Sequence, residues 1–310
     1  MPARISYGKA QVSVYRTYGT PMSGVTVIPE SRFSGVPNML FAVEVEVEVF
    51  GDNFMPAYTE GDNSNVVATD TMKNFILYQA LHYTGSTLEG FLYFLGMRFL
   101  AEYPQMGSLR VAGRELPFEP AVVPAGHEGV LSESGVLFNR THDGYGIATL
   151  WLERDDSGQG VRVTGHECGC VDLQMIKVTG SSFASFARDA HTTLPERKDR
   201  PLFIYLDVRW RYSDPAAITD GDLARYISTR QVRDFVGATF HSFVSMSIQH
   251  LVHEIGVRLM TRFPQVEQVS FKAQNRLWDI AFEADDGKAK VYTDPRPPYG
   301  SITLTLDREG

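Results

Sequence analysis

The chain has 310 residues, of which 43% are hydrophobic and 21% are charged, and its net charge at pH 7 is -8. A chain of this length and composition can bury a large core and is long enough for two domains. The acidic balance, without any long cluster of Lys and Arg, argues against nucleic acid or a membrane surface as a partner and favours a small molecule.

The sequence also limits where the protein is expected to work. The N-terminal stretch MPARISYGKAQ lacks the apolar core of a signal peptide, and the most apolar run, FLYFLGMRFL, is ten residues long and contains Arg98. The C-terminal DREG does not resemble a peroxisomal signal. We therefore expect an intracellular protein, with the cytoplasm as its location.

Hydrophobic patterns predict the same order of elements in each half of the chain. The first half has two predicted strands, a helical region and two further strands, at 5–17, 38–50, 71–104, 107–115 and 134–154. The second half has two predicted strands, two helices and two strands, at 161–179, 202–213, 221–236, 246–263, 266–284 and 301–307. Strands joined by short turns pair antiparallel, so we predict an α+β fold with helices on one face and open edges that closure into a barrel would cover.

An internal repeat relates the two halves. The apolar positions Leu88, Phe91, Leu92, Leu95 and Phe99 recur 160 residues later as Ile248, Leu251, Val252, Ile255 and Leu259. Their spacing is typical of an amphipathic helix with one buried face. We predict a tandem duplication with domains at 1–155 and 156–310, joined by the polar turn DDSGQG at 155–160.

Both cysteines lie in one short motif, His166-Glu167-Cys168-Gly169-Cys170. A zinc site usually needs four ligands or three and a water, and no second pair of cysteines exists to supply them. The surrounding sequence alternates like a long strand. We therefore interpret the motif as structural and predict no metal site.

The string SNVVATDTMKN at 64–74 places hydroxyls and a carboxylate where the chain enters a helix. Helix capping by Asp70 or Thr71 is one explanation, because such side chains accept hydrogen bonds from the first turn. Capping leaves the rest of the string unexplained.

Six motifs in order resemble the urate oxidase (uricase) family over nearly the whole chain. They are YGK at 7–9, the VATDT string within 63–74, SSF through LPE to DR at 181–200, SxSIQ at 245–249, QN at 274–275 and KVYTDPRPPYG at 290–300. The resemblance implies two repeats of the tunnelling fold per chain and a homotetramer with active sites at subunit interfaces. It also implies oxidation of urate by O₂ and water to 5-hydroxyisourate and H₂O₂ without a metal or other cofactor.

The resemblance further assigns residues to urate binding. Arg200 donates two parallel hydrogen bonds to an anionic edge, Gln249 pairs with a lactam, and Phe183 stacks on the purine while Phe186 belongs to the core. Ile248 contributes the free N–H groups of a helix start. Without the resemblance, we would predict that Arg200 forms a surface ion pair with Asp199. We would also predict that Gln249 is solvated and that Phe183 belongs to the core.

The same resemblance makes Lys9 and Thr69 a catalytic dyad that relays a proton to or from water or peroxide above the ring. Asp70 assists purine binding through its backbone N–H, and Asn275 holds oxygen or water in the slot on the opposite side. Without the resemblance, we would predict that Lys9 is a surface residue and that Thr69 caps a helix.

The sequence departs from the family at one position. Many members carry His two residues after the asparagine, where this chain has Leu277. Either the dyad suffices or another histidine substitutes, with His191, His250 and His253 as candidates. An alternative function is therefore a catalytically weak urate-binding or purine-binding protein. A pterin enzyme of the same fold is disfavoured, because its metal ligands are missing.

Overall fold

The computed structural model describes residues 4–125, 129–142, 144–155 and 160–308. Within them the chain forms two compact units, which we describe separately. Unit 1 comprises Met1–Val27, Phe33–Gly169 and Asp214–Ile227, and unit 2 comprises Ile28–Arg32, Cys170–Ser213 and Ser228–Gly310. None of the described helices is long and apolar enough to cross a membrane.

Unit 1 is built on antiparallel strands. Their order is β1 (Ser6–Thr17), β2 (Leu40–Phe50), β3 (Ser108–Glu115) and β6 (Tyr145–Arg154), and β4 (Phe118–Ala125) and β5 (Val130–Arg140) form a separate hairpin. Every second residue of β2 is buried, which matches the alternation in LFAVEVEVEVF. The strand β7 (Val161–Lys177) begins in unit 1 and ends in unit 2.

The α-helices described in unit 1 are α1 (Met55–Thr59), α2 (Thr69–Ala80), α3 (Leu88–Glu102) and α4 (Ala216–Thr219). The helix α3 packs on β3 and β6, where its apolar stripe is fully buried. Gly96 lies in that stripe, and a Cβ there would meet the Leu152 side chain at 2.8 Å. The glycine therefore lets the helix approach the sheet closely.

Unit 2 is also built on antiparallel strands with helices packed on them. Its antiparallel strands are β8 (Leu202–Tyr212), β9 (Val266–Asn275) and β12 (Gly300–Asp307), and β10 (Ile280–Glu283) and β11 (Lys290–Tyr292) form a hairpin. The helices are α5 (Thr229–Ser242) and α6 (Ile248–Arg262), and α6 packs on β9 and β12. A Cβ at Gly256 would meet Leu306 of β12 at 2.6 Å, so this glycine lets α6 approach the sheet closely.

The predicted α+β class with antiparallel strands is confirmed, and so is the interpretation of the cysteine motif as a strand. Cys168 and Cys170 lie in β7 with no exposed surface, and neither forms a disulfide with another described residue. Among the described residues, no three His, Cys, Asp or Glu side chains are grouped to hold a metal ion.

Several predicted boundaries were wrong. The helix predicted over 221–236 begins at Thr229, because Ser228 and Gln231 form a capping box at its start. The strand predicted over 134–154 is two strands, and β4 was missed. The strand predicted over 266–284 ends at Asn275. Residues 156–159 of the predicted domain boundary lie outside the described residues, so that boundary stays a prediction.

Candidate active site

Lys9, Thr69 and Asp70 lie in unit 1, where one hydrogen bond links the two motifs that carry them. The Val67 N–H donates to the Tyr7 hydroxyl at 3.2 Å. Tyr7 is two residues before Lys9, and Val67 is two residues before Thr69. Burial raises the pKa of Tyr7, so its hydroxyl stays neutral near pH 7.

Lys9 lies on β1 opposite Val47 of β2, at the last position before the register of the pair shifts. Such a bulge commonly changes the direction of a side chain near a functional site. Only glycine fits at position 8, because a Cβ there would collide with the Val47 carbonyl oxygen. The backbone of the YGK motif therefore lies in close contact with β2 directly before Lys9.

Thr69 is the first residue of α2 and does not cap it. The N-cap is Ala68, and its helix start has no side-chain hydrogen bond. By contrast, α3 and α6 are capped by the Thr87 and Ser247 side chains, which accept from Gly90 N and His250 N at 3.0 Å. The Thr69 hydroxyl is therefore left exposed and available for other chemistry.

Asp70 follows in the first turn of α2, where a carboxylate is favoured by the helix dipole. Its side chain is exposed, forms an ion pair with Lys73 and accepts from Asn74 Nδ2 at 3.2 Å. The hydrogen bond from Lys73 is the main cause that lowers the pKa of Asp70. Since its carboxylate is engaged within the helix, the backbone N–H of Asp70 is its free group for a ligand.

In the part of the chain that the structure describes, Lys9 Nζ and Thr69 Oγ1 form no hydrogen bond with each other. The structure holds the backbones of the two motifs together through Tyr7 and Val67. The direct pairing of the dyad stays a prediction.

The other five predicted residues lie in unit 2. Backbone hydrogen bonds connect the segment 181–183 to residues 197 and 200 and to residue 245, which lies just before α6. Arg200 N donates to Ser181 O at 2.9 Å, Ser182 N donates to Ser245 O at 2.8 Å, and Phe183 N donates to Arg197 O at 2.8 Å. The buried hydroxyls of Ser181 and Ser245 bond at 3.0 Å. Phe183, Arg200 and the approach to α6 are thus brought to one place.

Arg200 does not form the surface ion pair that its neighbour suggests. The Asp199 carboxylate instead accepts from Thr179 Oγ1 at 2.5 Å and from Gly180 N at 2.7 Å. The Arg200 guanidinium lies 5.5 Å from the Phe183 ring centroid, and its buried Nε has no partner among the residues that the structure describes. Burial lowers the pKa of Arg200, which still stays charged near neutral pH.

Phe183 is half-buried and stacks on Phe186, with ring centroids 4.9 Å apart and planes 15° apart. Phe186 is half-buried as well, and the Arg188 guanidinium lies 5.4 Å from its ring. The assignment of Phe186 to the core was therefore wrong. Phe183 thus contacts both the Phe186 ring and the Arg200 guanidinium.

Ile248 and Gln249 are the first two residues of α6. Ile248 is buried in the core, whereas the Gln249 side chain is exposed. The His250 N–H is capped by Ser247, whereas the N–H groups of Ile248 and Gln249 have no partner within the helix, and the helix dipole favours an anion beside them. His250, one of the histidines considered as a relay, has its Nδ1 occupied by the Met246 N–H at 3.2 Å.

Asn275 is the last residue of β9, between Ile204 of β8 and Gly300 of β12. Its Oδ1 is buried and has no hydrogen-bond partner in the part of the chain that the structure describes. The next residue, Arg276, was not assigned a role from the sequence, and its Nε is also buried without a partner. The only signal in the sequence was the position of this cation beside the QN motif.

Comparison with known proteins identifies the family. The uricase family model matches residues 5–143 and 166–303. The bifunctional uric acid degradation protein PucL of Bacillus subtilis is 44% identical over 100% of this chain, which spans 62% of that protein's length. The uricase of Halalkalicoccus jeotgali is 43% identical, with 98% of each chain covered. The crystal structure of urate oxidase from Bacillus sp. TB-90 matches with a TM-score of 0.93 and 41% identity, covering 98% of this chain and 100% of that one. The chain therefore belongs to the uricase family.

Proposed function

We propose that this protein oxidises urate with O₂ and water to 5-hydroxyisourate and H₂O₂. The observation that carries the proposal is that two buried polar atoms, Arg200 Nε and Asn275 Oδ1, have no hydrogen-bond partner among the described residues. Buried polar groups are nearly always hydrogen-bonded, so two unpartnered ones in motifs of the uricase family indicate a site for a polar ligand. Urate is a flat anion whose edge carries both N–H donors and carbonyl acceptors.

In this proposal unit 2 binds the substrate. Arg200 donates to an anionic edge of urate, and its burial strengthens that interaction because water is excluded. The Gln249 amide both donates and accepts, as a lactam edge requires. Phe183 stacks on the ring, and the start of α6 at Ile248 adds N–H groups and a favourable field. The backbone N–H of Asp70 completes the purine contacts.

The proposed oxidation of urate requires a source of electrons, a route for protons and a place that holds O₂ or water beside the ring. The deprotonated urate supplies two electrons to O₂, a C5 hydroperoxide forms, and water then replaces peroxide. Lys9 holds the Thr69 hydroxyl, which passes a proton to or from the water or peroxide. Asn275 holds oxygen or water in the slot. No step is assigned to a metal or a flavin.

The proposal includes a tandem duplication of two tunnelling-fold repeats. It is supported by α3 and α6, whose first and last residues are each 160 positions apart, and by β2 and β8, which are 162 positions apart.

We further propose a homotetramer in which one subunit supplies Lys9, Thr69 and Asp70 and another supplies the unit 2 residues. The cytoplasmic location stays a prediction.

A urate-binding protein without appreciable turnover is the second candidate. Its specific support is Leu277, which is 44% exposed and occupies the position at which many family members carry His. Leucine cannot transfer a proton. The two candidates share the binding residues and differ only in whether Lys9 and Thr69 suffice for the relay.

Turnover by metal-stripped protein separates the two candidates. Urate in aerated buffer is followed by its ultraviolet absorbance, while O₂ consumption and H₂O₂ formation are measured in parallel. Equal amounts of urate lost, O₂ consumed and H₂O₂ formed would support the proposed oxidase. Urate that binds under these conditions without being consumed would overturn the proposed oxidase in favour of the binding protein.

A further inference from the structure

We propose that Arg276 is a positioning residue that fixes the end of β9 from which the Asn275 amide projects. The proposal rests on the proposed function, because it concerns the residue that holds oxygen or water beside urate. It is carried by the contacts of Arg276, which join three strands at one end.

The Arg276 guanidinium contacts two tyrosine rings. Its central carbon lies 4.0 Å from the ring centroid of Tyr205 and 3.7 Å from that of Tyr299. A lysine also provides cation–π attraction at such a contact, but it lacks the planar guanidinium that lets an arginine stack on a ring. Tyr205 belongs to β8, and Tyr299 directly precedes β12. Arg276 therefore joins both strands that flank β9.

Hydrogen bonds hold the backbone on either side of Asn275. The Arg276 N–H donates to Phe203 O at 2.9 Å, which extends the pairing with β8 beyond the end of β9. The Arg276 Nη2 donates to Gln274 Oε1 at 2.8 Å. This bond puts the side chains of residues 274 and 276 on one face, so alternation along the strand puts Asn275 on the other. Arg276 thus acts on Asn275 through the backbone.

Asn275 depends on this support because its own oxygen is not held. The Oδ1 atom is buried without a partner among the described residues, so no hydrogen bond at that atom fixes the amide. Its direction is then set by the backbone and by packing. A displacement of about 1 Å of a group that positions a reactant can cost roughly 100-fold in rate.

The test is a double-mutant cycle between Arg276 and Asn275. The single variant Arg276→Met is expected to lower kcat by about 10- to 100-fold and to raise the KM for O₂. Binding of a non-oxidisable urate analogue should change by less than about 3-fold. In the Asn275→Ala background, Arg276→Met should change kcat by less than about 2-fold, since its effect passes through the missing amide. Arg276→Lys should fail to restore kcat.

Equal loss of kcat from Arg276→Met in both backgrounds would overturn the inference, and so would full activity of Arg276→Lys. A second variant, Tyr299→Leu, removes one ring and keeps the arginine, so it tests the same cycle if Arg276→Met does not fold. Its smaller loss of kcat should also disappear in the Asn275→Ala background. If the wild type oxidises urate and the effects of Arg276→Met and Asn275→Ala on kcat are additive, only this inference is overturned. If the wild type binds urate without oxidising it, the proposed function is overturned as well.

Discussion

The Tyr7 hydroxyl accepts a hydrogen bond from the Val67 amide at 3.2 Å, and this contact joins the strand that carries Lys9 to the helix that begins at Thr69. The Tyr7 ring is packed edge-on against Phe54, with centroids 5.0 Å apart. The position of the proposed dyad therefore depends on a residue that is itself neither acid nor base in the reaction.

Removing this hydroxyl should disturb the dyad. We expect Tyr7→Phe to lower kcat by about 10-fold and to cost about 1 kcal/mol in the free energy of unfolding, measured by urea denaturation. Tyr58→Phe is the matched control, because the exposed Tyr58 hydroxyl also bonds to β1, through Ser6 O at 2.7 Å. An equal loss of kcat in both variants would contradict a specific role for Tyr7.

Replacing Lys9 should separate turnover from binding. We expect Lys9→Met to lower kcat by roughly 10²- to 10⁴-fold, since it removes the group that holds the Thr69 hydroxyl in the relay. The affinity for a non-oxidisable urate analogue, measured by calorimetry, should stay nearly unchanged. The exposed Lys288 offers the control variant Lys288→Met. Parallel loss of affinity and turnover would refute the assignment of Lys9 to proton transfer.

Thr69 and Thr87 lie at the starts of two helices but should respond differently to alanine. Thr87 caps α3, so Thr87→Ala should cost about 1 kcal/mol in unfolding free energy. Thr69 caps nothing, so Thr69→Ala should leave stability within about 0.5 kcal/mol and abolish most turnover. Thermal unfolding and initial rates measure the two effects. Destabilisation by Thr69→Ala with retained turnover would restore the capping explanation.

Arg200 should resist replacement even by lysine. Arg200→Lys keeps the charge but loses the planar pair of donors, so we expect about 10- to 100-fold weaker binding of the urate analogue. Arg200→Ala should bind more weakly still. Arg162→Lys, at an exposed ion pair with Glu153, serves as the control. Unchanged affinity in Arg200→Ala would exclude Arg200 from the site.

The buried Glu89 of α3 predicts a pH-dependent contribution to stability. Burial, with a smaller effect of Glu115, raises its pKa from 4.5 to about 7, while hydrogen bonds from Tyr226 and Cys168 lower it. Because the folded state holds this proton more tightly than the unfolded state, the contribution of Glu89 is full below pH 4.5 and is lost as the pH rises through about 7.

The variant Glu89→Gln should remove that dependence. Relative to the wild type, its free energy of unfolding should rise between pH 5 and pH 8 by roughly 3 kcal/mol at most. Urea denaturation at both values measures the difference. Glu119→Gln, on the β4–β5 hairpin and half-buried, is a control with a carboxylate of ordinary burial. A difference that does not change with pH would mean that Glu89 is ionised in the folded protein.

Local sequence patterns correctly predicted the elements in which the hydrophobic pattern is regular and the other local signals agree with it. The helices α3 and α6 combine an apolar stripe with a capping side chain, and β2 alternates throughout, so their positions followed from the sequence. The start of α5 was missed although Ser228 and Gln231 form a recognisable capping box. The hairpin strand β4 was missed because Pro120 and Pro124 interrupt its pattern.

The site was less predictable because its contacts join distant residues. Asp199 suggests an ion pair with Arg200, and only the fold reveals that Thr179 and Gly180 occupy its carboxylate. The contacts of Arg276 with Tyr205 and Tyr299 depend on the register of β8, β9 and β12. Spacing along one segment cannot give such a register.

A crystal structure with a non-oxidisable urate analogue would test the central claim most directly. We predict that the analogue is held by Arg200 and Gln249, stacked on Phe183, with the Lys9 and Thr69 side chains of a neighbouring subunit beside it. Asn275 Oδ1 and Arg200 Nε should then face the analogue or an ordered water. An analogue bound elsewhere, with both atoms still unpartnered, would contradict the proposed site.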